Sequence, residues 1–189
     1  HYLNMLRISL LLSLALAVPA MAQAQTWLRD GNRIVLPAGE GHAELPPGTR
    51  LGLHSNGRLA LARIDDLRRF DKLCLSVPSF DPVIYRAAMG VEGVPDVGAI
   101  MDQSGLPVKL SCLVTEINRV EVPEYLERCR ELGVRRVVLR KRFGERRDWP
   151  ELLPGCWEDS LEVRFGNPVY ERMGVQVTLW DFEQAQIRS

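Results

Sequence analysis

The sequence predicts an α/β fold whose parallel strands and outer helices form an open or partial (β/α) barrel, and three observations predict it. After residue 30, strand-like apolar runs alternate with single helical stripes, which implies parallel pairing through crossover helices. Four of the strands sort polar and apolar residues onto the same two faces. The chain has 189 residues, enough for a domain with a sizeable core and short of the roughly 250 of a full eight-unit barrel. It reads as a partial barrel domain over residues 25–189, truncated at one or both ends, behind a segment of different character at 1–24.

The elements run as follows. Residues 33–36 read as a short strand and 38–41 as a Gly-rich turn, with a second turn at Pro46-Pro47-Gly48. Residues 50–54 form a strand that ends in Ser55-Asn56-Gly57. Residues 59–70 form an amphipathic helix with Leu61, Ile64 and Leu67 on one face. A strand at 72–77 precedes helices at 82–89 and 95–103, each opened by a proline. After a strand at 108–115, residues 122–132 form a helix with Val122, Tyr125, Cys129 and Leu132 as its stripe and Gly133 as its stop. A strand at 136–140, a charged irregular connection at 143–154 and a last strand at 175–182 complete the pattern.

In a barrel one strand face packs on helices and the other faces the lumen. Leu51 and Leu53 suit the outer face, which turns His54 and Asn56 inward. Leu73, Leu75 and Val77 leave Cys74 and Ser76 inward. Val108, Leu110, Cys112 and Val114 leave Lys109, Ser111 and Thr115 inward, and Val137 with Leu139 leaves Arg136 and Arg140. The inward set is polar and gathers toward the C-terminal strand ends, where such folds place their sites. Glu40, His54, Asn56, Ser76 and Arg140 are thus expected on one concave surface.

Residues 5–24 support two readings. Arg7, the uncharged run at 8–18 and the small-x-small patterns Ala20-Met21-Ala22 and Ala22-Gln23-Ala24 make a secretory signal peptide. The run is too short to span a bilayer. Alternatively Pro19 opens a leading helix with Met21, Ala24, Trp27 and Leu28 on one face and Gly31 as its stop.

Lys and Arg number 24, as do Asp and Glu, so net charge is zero and gives no global reason to expect nucleic acid or an anionic membrane as partner. The densest basic run is Arg135, Arg136, Arg140, Lys141, Arg142, Arg146 and Arg147. Glu145, Asp148 and Glu151 balance it, which reads as a solvated surface. The histidines are too scattered for a metal site. Cys74, Cys112, Cys129 and Cys156 lie far apart in sequence and read as buried free thiols. Gly39-Glu40-Gly41 lacks the Lys-Ser/Thr of a P-loop, and no Gly-x-Ser-x-Gly elbow is present.

Several segments, in order and spacing, resemble a known superfamily. Ile34-Val35-Leu36-Pro37-Ala38-Gly39-Glu40 resembles the second strand and Gly-Gly-Glu turn of radical S-adenosylmethionine (SAM) enzymes. Leu51-Gly52-Leu53-His54-Ser55-Asn56-Gly57 resembles their third strand, which typically ends in Thr-Asn-Gly. Leu73-Cys74-Leu75-Ser76-Val77-Pro78-Ser79 resembles the fourth. Residues 108–118, 122–132 and 136–140 resemble the fifth and sixth units. The resemblance covers roughly residues 27–142. It implies cofactor-binding roles for Gly39, Glu40, Asn56, Ser76, Asn118 and Arg140: Gly39 and Glu40 at the SAM amino group, Ser76 and Asn118 near its carboxylate and ribose. A turn glycine and a capping asparagine explain Gly39 and Asn118 equally well.

The resemblance implies SAM and a 4Fe-4S cluster as cofactors of the parent protein, an electron donor as its partner, and a cytoplasmic location. The substrate is unspecified. The Cys-x3-Cys-x2-Cys loop that holds the cluster in the family is not among these residues, so this chain alone is expected not to cleave SAM. The alternative is an exported, non-catalytic α/β binding protein, periplasmic or secreted, with a cleaved signal. A cluster-free barrel with a different activity is a third reading.

Overall fold

The computed structural model describes residues 28–30, 33–35, 42–44, 48–153, 155, 157 and 160–181, the first three segments as backbone alone. Residues 1–24 and the turn at 38–41 lie outside the described residues, and with them the leader-or-helix question, Gly39 and Glu40.

The described residues form two sheets. Strands β1 (Leu28–Asp30), β2 (Arg33–Val35) and β3 (His42–Glu44) form a three-stranded antiparallel sheet in that order. This corrects the expectation for residues 33–36, which were to stand parallel beside the strand at 50–54. Three residues of alternation fix a face and not a partner, so a local meander satisfies the same pattern.

The second sheet has seven strands in the order β4-β5-β6-β7-β10-β9-β8 and is not closed. Strands β4 (Gly52–Ser55), β5 (Lys72–Ser76), β6 (Val108–Leu113) and β7 (Arg136–Arg140) are parallel and adjacent in sequence order, as expected. Strand β10 (Val175–Trp180) pairs parallel to β7, and β9 (Asn167–Arg172) and β8 (Glu162–Arg164) then fold back antiparallel.

Crossover segments carry the helices. The expected helix at 59–70 is shorter and broken: a 3-10 turn at Leu61–Arg63 leads into α1 (Ile64–Leu67), because Arg63 leaves helical geometry with φ −125° and ψ 33°. Helix α2 (Pro82–Met89) starts where the Asp81 carboxylate accepts from Val83 N and Ile84 N at 2.8 and 2.9 Å, with Pro82 at its first turn. Asp96 caps α3 (Val97–Ser104) through Ala99 N at 2.9 Å. Helix α4 (Val122–Glu131) carries the expected Val122, Tyr125 and Cys129 stripe. Within the connection after β7 a single turn, α5 (Trp149–Leu152), forms where the Glu151 carboxylate accepts from Asp148 N at 3.1 Å.

The core lies on one side of the large sheet. Leu73, Leu75, Val77, Leu110, Cys112, Val114, Val137, Leu139, Val177 and Leu179 pack there with Tyr85, Ile100, Tyr125, Leu126, Cys129 and Leu152 from the helices and connections. Burying these side chains contributes roughly 1.5–3 kcal/mol each and fixes strand parity. The alternate residues must then face the other way.

Candidate functional site

Strand register turns those alternate residues into cross-strand rows. In one row His54 stands opposite Cys74, and Cys74 opposite Lys109. Lys109 neighbours Arg136, one step before the paired Leu110 and Val137, and Arg136 stands opposite Gln176. In the next row Ser76 meets Ser111, Ser111 meets Val138, and Val138 meets Thr178. Leu113, Arg140 and Trp180 make a third row at the C-terminal strand ends. Successive strands lie about 4.8 Å apart, so His54, Lys109, Arg136 and Arg140 share one surface. None of these residues joins the helix-side core.

The surface is cationic. Lys72 occupies the same face, opposite Gly52. A Cβ built on Gly52 would meet Lys72 Cε at 2.7 Å, so the missing side chain is what lets Lys72 lie across β4. Among the described residues no carboxylate forms an ion pair with Lys72, Lys109, Arg136 or Arg140. Glu171 and Glu162 face this side only at the far end, Glu171 across Gln176 and Glu162 on β8, paired with Arg164.

Titration behaviour follows from that crowding. Partial enclosure, then Lys109, Arg140 and Lys72, push the His54 imidazole down to about 4 although its outer edge stays open to solvent. Burial lowers the Lys109 ammonium, and Arg140, Arg136 and Lys72 add to that while Cys74 opposes it. Burial raises the Cys74 thiol, against the pull of Lys109 and Arg140. At neutral pH the face therefore presents a neutral imidazole among cations.

Of the residues that sequence parity turns inward, His54, Cys74, Ser76, Lys109, Ser111, Arg136 and Arg140 stand on this face by register, while Thr115 lies beyond the end of β6 with its hydroxyl donating to Asn118 Oδ1 at 3.2 Å. Sequence reasoning passed over Lys72 and Trp180, although each shares parity with a residue it did use. Of the six residues the resemblance singled out, Gly39 and Glu40 lie outside the described residues. Ser76 and Arg140 sit on the polar face, Ser76 half-buried in the middle row and Arg140 at the C-terminal end. Asn56 follows β4, exposed, with its Oδ1 accepting from Arg58 N at 3.2 Å.

Asn118 is placed differently. It is 2% exposed. Its Oδ1 accepts from Thr115 N at 2.7 Å and Thr115 Oγ1 at 3.2 Å, and its Nδ2 donates to Pro78 O and Leu113 O, both at 2.9 Å. The amide thus clamps the loop after β5 to the loop after β6. Both donors and both acceptor positions are taken, so this side chain shapes the strand ends.

The basic run that read as a solvated surface divides by strand parity. Arg136 and Arg140 face the open side. Lys141 turns the other way and is buried against Asp181, Nζ to Oδ2 3.0 Å, 5.5 Å from the Trp149 ring centre. Arg147 pairs with Glu145 and Glu116.

The described cysteines do not fit an iron–sulfur cluster. Cys74 lies on the open face, while Cys112 and Cys129 lie in the helix-side core, where burial raises the Cys112 thiol and pushes Cys129 up to about 12. Cluster ligation needs converging thiolates. Among the described residues no group of three or more His, Cys, Asp or Glu could hold a metal ion, and no helix is long and apolar enough to cross a membrane. The chain matches no protein-family model and no curated protein.

Proposed function

We propose that this chain is the SAM- and substrate-facing part of a radical SAM enzyme, with the large sheet as an open arc of its (β/α) barrel. The observation that supports this reading best is the run of parallel strands β4-β5-β6-β7-β10 with an apolar side on helices and a polar side facing away from them. Parallel sheets are ordinarily covered on both faces by apolar side chains, and a polar face is the arrangement of a lumen that receives a ligand. Ser76 and Arg140, at the ends of β5 and β7, would meet the carboxylate of SAM through a hydroxyl and a guanidinium. Against it stands the antiparallel pairing of β2, which removes one strand from the resemblance.

In the family the cluster supplies the electron that cleaves SAM, and this chain's part is to bind, orient and exclude water. The chain alone should bind SAM no tighter than about millimolar, since hydrogen bonds and packing at strand ends supply on the order of −4 kcal/mol. Titrating SAM into residues 1–189, followed by NMR, should shift strand-end amides near Ser76 and Arg140. A titration in which those amides stay still, with shifts elsewhere or none, overturns the proposal. A longer product of the same gene with a Cys-x3-Cys-x2-Cys segment should in addition form 5′-deoxyadenosine on reduction.

The exported binding protein is the second reading, favoured by the small-x-small patterns at residues 20–24. Mass measurement of the chain recovered from a periplasmic fraction, cut after Ala22 or Ala24, decides for it.

A further inference from the structure

We infer that the substrate of this face carries a compact, multiply charged oxyanion, a phosphate or a dicarboxylate, seated among Lys72, Lys109 and Arg136 beside His54, with Arg140 at its edge, shared with the carboxylate of SAM under the reading proposed above. The inference rests on the reading of the polar face as a ligand surface and is independent of which cofactor chemistry that surface serves.

The first argument is segregation of charge. Elsewhere many cations are paired, Arg63 with Asp66, Arg68 with Asp65, Arg86 with Glu92, Arg119 with Glu116, Arg128 with Glu131 and Lys141 with Asp181. Those without an ion pair among the described residues, such as Arg58, Arg135, Arg142 and Arg146, are exposed and are not gathered in one cross-strand row. A sequence with equal numbers of acids and bases has carboxylates to spare for β5, β6 and β7. Among the described residues it places none there, although like charges this close repel one another. Lys109, its ammonium disfavoured by burial and by Arg140, Arg136 and Lys72, bears that cost. Uncompensated charge on an open surface is the mark of a site whose counter-charge arrives with the ligand.

Geometry then selects the size of the anion. The four cations come from three adjacent strands, about 10 Å across, and Arg136 to Arg140 spans about 13 Å along β7. That area suits one or two phosphate-sized groups. A nucleic acid strand needs a longer track with stacking rings, and among the described residues Trp180 is the one aromatic side chain in these rows. Chemistry completes the site. Guanidinium groups match oxyanions in a fork, and lysines add point charge. Groups facing His54 are Lys72, Cys74 and Ser76 on β5, Lys109 and Ser111 on β6, and Arg136 and Arg140 on β7, with Glu171 on β9 and the Glu162–Arg164 pair on β8 remote. An anion in their midst reverses the local field, and the imidazole should take up a proton as it binds.

The test uses the whole chain and inorganic phosphate, with malonate in a parallel arm and sodium chloride at matched ionic strength as control. The His54 ring resonances are followed by NMR across pH. Phosphate or malonate should raise the His54 pKa by at least about one unit, a readout worth about tenfold in proton affinity. The stronger of the two identifies the oxyanion. Lys109→Gln and Arg136→Gln should each weaken binding about tenfold, whereas Arg128→Gln on α4 should leave it unchanged. The inference is overturned if neither anion moves His54 more than chloride does, or if Arg128→Gln weakens binding as much as Lys109→Gln. It is equally overturned if a single-stranded oligonucleotide binds and the small anions do not. Phosphate binding without SAM binding would remove the SAM reading and leave this one; SAM binding without either anion would do the reverse.

Discussion

Arg128 and Arg130 on α4 each reach a glutamate three residues away, whereas Lys109 and Arg136 stand side by side on the open face of the sheet without one. The two sides of the sheet also treat leucine differently. Leu110 and Leu113 belong to the same strand, yet Leu110 is sealed at 0% exposure and Leu113 is 41% exposed. The comparison separates two kinds of selection. On the helix side, burial and local charge pairing stabilise the fold. On the open side, the exposed Leu113 and the crowded like charge cost stability, which the proposed ligand would offset, although Cys74, Ser111 and Val138 between them are buried. Net charge conceals this, because zero is a sum over both sides.

The two leucines give the sharpest way to break the comparison. Leu110→Ala should cost about 3–4 kcal/mol, the transfer of the side chain plus the cavity it leaves. Leu113→Ala should cost under about 1 kcal/mol. Urea denaturation of both variants measures the difference. Equal losses would mean that the open face is packed, and the site assignment would go with it.

The second contrast concerns charge. Lys141 and Asp181 are both buried, and Lys141→Met leaves the Asp181 carboxylate without its ammonium, a loss of about 3 kcal/mol. Arg128→Met breaks a surface pair at 2.8 Å and should cost no more than about 0.5 kcal/mol. Asn118→Ala falls between them at about 2 kcal/mol, since Leu113 O loses the amide donor and Pro78 O keeps only the weak Cys112 thiol. If Asn118→Ala left stability intact and weakened only SAM binding, its role would be contact with the ligand after all.

Much of the large sheet was legible because burial forces strict alternation. Leu73, Leu75 and Val77 could face only one way, and Cys74 and Ser76 followed. The hairpin β8–β9 was not legible, for a physical reason. Its turn centres on Phe165-Gly166, and the β9–β10 turn that follows on Met173-Gly174, all four with positive φ, the requirement of a primed hairpin turn. Asn-Gly or Asp-Gly announces such a turn in a sequence, and Phe-Gly and Met-Gly do not. The partner of β2 was hidden because nothing within three residues distinguishes a neighbour in a meander from a neighbour in a barrel. At the site, parity supplied Lys109 and Arg140 but not their isolation from carboxylates, which depends on register across strands far apart in sequence.

A small expected effect tests the charge crowding itself. The folded-state pKa of His54 is about 4, below its ordinary 6.5. A histidine depressed in this way binds its proton more readily unfolded, so its contribution to stability is fully present above 6.5 and is lost as pH falls from 6.5 through 4. Removing a neighbouring cation should shrink that loss. In Lys109→Gln the His54 pKa should rise toward 6.5, and the fall in urea midpoint between neutral pH and pH 5 should be shallower than in the parent. The imidazole is open to solvent along one edge, so the stability change is under about 1 kcal/mol once screening is allowed for. Carboxylates titrate in the lower part of the same window. The comparison therefore needs His54→Gln in both backgrounds, and only the part of the pH dependence that His54→Gln abolishes counts. If that part is the same with and without Lys109, the cations do not act on His54 as a group. The open face would then be a set of separately solvated side chains, with nothing to distinguish it from the exposed arginines of the helix side.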